Sequence, residues 1–138
     1  MLYAARECAR ILLKEGLQNA FARHKRSSKA LTAGLRAMGL QLFGDQNHKM
    51  DNVTGVYIPQ GVNGDRARSA LLDQYNIEIG TSFGPLHGKI WRIGTMGVNA
   101  REEAIVETLA GLEKVLAAEK FKLPGGAGVE AARAAWRS

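Results

Sequence analysis

The run Asn52-Val53-Thr54-Gly55-Val56-Tyr57-Ile58 is rich in β-branched and aromatic residues and stops at Pro59, and Ile90-Trp91-Arg92-Ile93-Gly94 has the same character. Both predict strands. Between them, Asp65 to Tyr75 carries Ala67, Ala70, Leu71 and Leu72 at helical spacing. Shorter strand candidates precede each of the two main ones: Leu40-Gln41-Leu42-Phe43, and Ile77-Glu78-Ile79 with its alternation. Strand pairs that alternate with helices exclude an all-helical bundle and an all-β sandwich.

Met1, Leu2, Ala5, Cys8, Ala9, Leu12 and Leu13 recur at spacings of three and four, which predicts a helix over 1–14. Gly16 interrupts the pattern. A second helix follows over 17–38, with an apolar stripe of Leu17, Ala20, Phe21, Leu31 and Leu35, and Gly39 is placed to close it. Near the end, Asn99 with Glu102 three residues on reads as a capping box that opens a helix to about Glu119. The expected order is ααββαββα. This is an α+β fold with a small antiparallel or mixed sheet of about four strands and helices packed on one side. Residues 1–122 make the domain. Residues 123–138 open on Leu-Pro-Gly-Gly-Ala-Gly and predict a flexible tail, with a short alanine-rich helix over 129–136.

At 138 residues the chain affords one core. No run of about 18 apolar residues is present to span a membrane, and the first residues lack the pattern of a signal peptide. Cys8 is the single cysteine. It predicts a reducing, cytoplasmic setting and a small buried side chain on the first helix. The net charge of +6 raises nucleic acid as a partner. However, Arg23, His24, Lys25, Arg26 and Lys29 fall mostly off the apolar stripe, with no aromatics interleaved for base stacking. His24, His48 and His87 are isolated from one another and from metal-ligand spacing. No nucleophile elbow is present, so catalytic, cofactor-binding and metal-binding residues are all expected to be absent from this chain.

Arg92 is the informative residue. It shares a strand face with Ile90, where partial burial would demand an anionic partner. A planar guanidinium suits a carboxylate held by two parallel hydrogen bonds. A structural ion pair with Glu78 or Asp73 is the alternative, and the residues alone do not choose between them.

The run Ile77-Glu78-Ile79-Gly80-Thr81-Ser82-Phe83-Gly84-Pro85-Leu86-His87-Gly88-Lys89-Ile90-Trp91-Arg92-Ile93-Gly94-Thr95-Met96-Gly97-Val98-Asn99-Ala100 resembles the C-terminal core of class V, fold-type I aminotransferases that use glyoxylate. Glu15-Gly16-Leu17 with Arg23-His24, and Gly39-Leu40-Gln41-Leu42-Phe43, are similar to that family's leading helices and first strand. The likeness covers about residues 1–120. Its wording is nearer to the ureidoglycine–glyoxylate branch than to the alanine–glyoxylate branch. It implies a cytoplasmic homodimer that uses pyridoxal phosphate to move an amino group from a small amino acid, such as ureidoglycine, alanine or serine, to glyoxylate or a similar 2-oxo acid. It also implies that Arg92 holds the substrate carboxylate. The lysine that carries the cofactor would lie in a large domain upstream of Met1, so this stretch alone would be inactive. The partners implied are the two substrates, the large domain and a second subunit, with no nucleic acid and no membrane. A stand-alone module that holds a small carboxylate with Arg92 and the Gly80–Gly88 loop, a protein-interaction module, and less so a nucleic-acid-binding domain, are the other functions the chain allows.

Overall fold

The computed structural model describes residues 1–138. Helix α1 (Leu2–Glu15) ends at Gly16, whose φ of +85° is open only to glycine at low cost, and α2 (Leu17–Ala37) starts at once. Gly39 closes α2 as the spacing predicts. At φ +79° it donates to Arg36 O while Leu40 N–H reaches Leu35 O, the paired bonds of a Schellman motif. Then come β1 (Val53–Tyr57), α3 (Gly64–Tyr75), β2 (Gly80–Thr81), β3 (Ile90–Gly94), α4 (Glu102–Ala118) and α5 (Ala127–Arg137). The Asn63 side chain accepts from Arg66 N–H at 3.0 Å and so caps α3.

The sheet is antiparallel and three-stranded, in the order β1-β3-β2, so the α+β class stands. The count of about four strands does not. Residues 40–43 supply only a single bridge, Leu42 to Val56. The alternating Ile77-Glu78-Ile79 lies outside any strand, and β2 falls just beyond it. Ile77 N–H is drawn back to Leu71 O at the end of α3, which keeps this stretch off the ladder. The capping box is also absent. Asn99 ends a short 3₁₀ turn (Gly97–Asn99), and α4 starts from Arg101 without a side-chain cap.

Thr54, Val56, Trp91 and Ile93 form the inner face of the sheet, and all four are buried. Leu31 and Leu35 of α2, Leu71 of α3, and Leu109, Leu112 and Leu116 of α4 pack into the same core. Each such leucine contributes about 1.5–3 kcal/mol relative to exposure. Trp91 is fully buried, and its indole N–H donates to Gly64 O at 3.2 Å. That bond satisfies the one polar group its burial would strand.

The stretch expected as a flexible tail is ordered against this core by α5, which begins two residues earlier than the short helix read from the alanines. Ala132 of α5 is buried, and Val129 and Trp136 pack on the core. Glu113 of α4 accepts from Gly126 N–H and Gly128 N–H, each at 3.0 Å, and so caps the start of α5 from a neighbouring helix. Gly34 and Gly128 let α2 and α5 meet at backbone distance, since a Cβ on Gly34 would stand 2.8 Å from Gly128 O. The Arg26 guanidinium lies 5.8 Å from the centre of the Trp136 ring.

Helix α1 is the opposite case, for none of its residues is buried. Cys8, expected inside, is exposed, because the apolar stripe of α1 finds no partner in this chain.

Candidate functional site

On the outer face of the sheet, Arg92 lies opposite Gly55 of β1 and Gly80 of β2. Neither flank carries a side chain, so nothing covers the arginine and it is exposed, although Ile90 on the same face is buried. The burial expected from the strand pattern fails at this residue for that reason. A glycine inside a strand often marks a close approach by a ligand or backbone.

Two contacts set the guanidinium. Its Nε donates to Thr81 O at 2.8 Å, and its Cζ stands 5.1 Å from the centre of the Phe83 ring. Phe83 belongs to the loop after β2, which is shaped by a 3₁₀ turn (Gly84–Leu86) and by a contact of His87 Nδ1 with Ser82 O at 3.1 Å. One edge of the fork is thereby fixed, and both terminal nitrogens stay free. The structural alternative fails, since none of the ion pairs includes Arg92, and neither Glu78 nor Asp73 bonds to it. A fixed, unpaired fork over an aromatic face can take a carboxylate in bidentate fashion.

The remaining sequence candidates lie elsewhere. His48 pairs with Asp45 at 2.7 Å on an exposed loop and helps hold that carboxyl below the usual range. His24, expected on the surface, is half-buried between α2 and the turn after β3. Gly55 is a site residue that sequence reasoning missed, and its place inside a predicted strand was the available signal; Gly80 and Phe83 lie in the 80–88 loop that the carboxylate-binding alternative joined to Arg92. A cavity of about 200 Å³ between residues 76–79, the end of β3 and α4 is lined by Thr95, Arg101 and Glu107, among others, but not by Arg92.

Seven of the eight lysines are exposed, and Lys49, the half-buried one, is engaged by Ser28 Oγ and Asp51.

No protein-family profile matches the chain. Individual proteins do. The chain is 54% identical over 134 residues to (S)-ureidoglycine–glyoxylate transaminase of Bacillus subtilis, covering 97% of this chain and 31% of that protein. It is 32% identical over 133 residues to serine–glyoxylate aminotransferase of Arabidopsis thaliana, covering 96% and 33%. The crystal structure of the Bacillus subtilis ureidoglycine–glyoxylate aminotransferase superposes with a TM-score of 0.96 at 50% identity, over 99% of this chain and 35% of that one. Over nearly its whole length the chain is thus similar to one part of proteins named as glyoxylate aminotransferases. It spans about a third of the length of the curated relatives it matches. The similarity in both sequence and structure takes in most or all of α5, beyond the residues 1–120 whose motifs carried the resemblance.

Proposed function

We propose that this chain is the C-terminal small domain of a class V, pyridoxal-phosphate-dependent aminotransferase. It would work as a homodimer and pass an amino group from a small amino acid to glyoxylate or a similar 2-oxo acid. Ureidoglycine is the donor favoured by the similarity to the Bacillus subtilis transaminase; alanine and serine are the other donors of the same class. The cofactor, when bound in a large domain, supplies the electron sink for the amino-group exchange. The role of this chain is to bind and orient. Arg92 receives the substrate carboxylate on its two free nitrogens, with Thr81 O and Phe83 holding the fork in place.

The observation that carries this reading is the open, unpaired guanidinium of Arg92 between two glycines, on a chain with this relationship to known glyoxylate aminotransferases. The test is Arg92→Lys in a protein that joins this domain to a lysine-bearing large domain. Lysine keeps the charge and loses the planar fork. The loss of one charge-assisted bond corresponds to about 1.5–3 kcal/mol, or about ten- to a hundredfold in kcat/KM for carboxylate substrates. Unaltered kcat/KM per folded molecule would overturn the assignment.

A further inference from the structure

Two consecutive residues of α2 grip one residue of the turn that follows β3. Arg23 donates through Nη1 to Gly97 O at 2.7 Å. His24 Nδ1 contacts Ala20 O at 2.7 Å, one turn back on α2, so its proton sits on Nδ1. His24 Nε2 is then a lone-pair acceptor, and Gly97 N–H points at it from 3.4 Å. Gly97 has φ +55° and opens the 3₁₀ turn that leads to α4. The other two guanidinium nitrogens of Arg23 are spent on Glu15 of α1, at 2.6 and 2.9 Å. Closer to the strand, Thr95 N–H and Oγ1 are tied to Asn52 O and Asp51 O. Met96 and Val98, the residues on either side of Gly97, stay exposed.

We propose that Arg23 and His24 are positioning residues for the turn 94–100, which holds one shape because Gly97 is gripped by its carbonyl and its amide together. The amide half requires neutral His24. A second proton on Nε2 replaces the acceptor by a donor and sets N–H against N–H. The charged groups around His24 are Glu15 from α1, Arg23 beside it, and Asp51 from the segment before β1. The turn itself carries no titratable side chain. The significance for catalysis rests on the reading of Arg92 given above, because this turn leaves the strand that carries it.

The test uses the full 138-residue chain. Nitrogen-15 spectra of His24 should show the Nδ1–H tautomer. In His24→Ala, the Gly97 amide should exchange about tenfold faster, the range of one lost hydrogen bond, while amides of α4 stay unchanged. His24→Gln places an uncharged oxygen near the Nε2 position and should restore protection. If His24→Ala does not fold, the wild-type tautomer and the Gly97 protection kept in His24→Gln decide the matter. An Nε2–H tautomer, Gly97 protection unchanged in His24→Ala, or protection lost in a folded His24→Gln, would refute the latch. These readouts do not involve Arg92, so the latch and the carboxylate reading fail separately.

Discussion

The Nε of Arg92 donates to Thr81 O at 2.8 Å, across the ladder from β3 to β2. The bond aims the guanidinium without consuming its terminal nitrogens. Because the side chain is exposed and forms no ion pair, Arg92→Ala should fold normally. The expected change in unfolding free energy is within about 1 kcal/mol, the size of one exposed cation–π contact. Thermal melting of the variant beside the wild type checks this. A larger loss would mean that the arginine is structural.

Docking of α5 depends on bare backbone. Gly34→Leu should drive α5 off α2, since even its Cβ would press on Gly128 O. Overpacking of this kind costs about 1–3 kcal/mol. Glu113→Gln should act on the same element more mildly, because it removes the charge from the cap shared by Gly126 and Gly128. Denaturant titration gives both values, and limited proteolysis near 124–128 should report the loosened helix.

Acid should weaken the junction of α1 with α2. The Arg23 guanidinium, through its hydrogen bonds, holds the Glu15 carboxyl below the usual carboxylate range. A lowered folded value means that the stabilisation is complete above the ordinary carboxylate range and disappears as pH falls through the folded value. Glu15→Gln should flatten this acid limb of the stability profile. If the limb survives the substitution, the Glu15–Arg23 pair is not its source.

Leu12, Leu17, Phe21 and Met50 leave an apolar groove open between α1, α2 and the segment before β1, and Leu2, Tyr3, Ile11 and Leu13 are exposed on α1. Exposed apolar surface of this extent marks a contact face. On the proposed reading, the large domain or a second subunit covers it. The isolated chain should therefore self-associate in light scattering. Phe21→Glu should reverse this without lowering the melting temperature, because Phe21 is outside the core. A chain that stays monomeric at high concentration would count against the contact face.

The chain by itself should neither transaminate nor keep pyridoxal phosphate, given that its lysines are exposed or otherwise engaged. Borohydride reduction followed by peptide mapping should find no single modified lysine. One specific adduct accompanied by turnover would contradict this.

The helices and the two long strands were legible in sequence because apolar periodicity and β-branched runs are local signals. Gly39 was legible for the same reason, as a helix closer followed by a strand-like run. What escaped was set by distant partners. Ile77-Glu78-Ile79 alternates like a strand, but its backbone closes the end of α3 instead. The composition at 123–126 reads as a linker, and nothing local reveals that Glu113 waits to receive Gly126 and Gly128. Arg92 was singled out, yet its exposure follows from Gly55 and Gly80, which only the strand register places beside it.

Helix α1 has a further consequence. Fourteen residues that bury none of their side chains lack the packing that normally holds a short helix together. In the isolated chain, α1 should open by fraying many times for each opening of α4, so its amides record a local equilibrium and not the global one. A ligand for its apolar stripe would then be felt first as a slowing of hydrogen exchange over residues 2–15, before the melting temperature of the core moved at all.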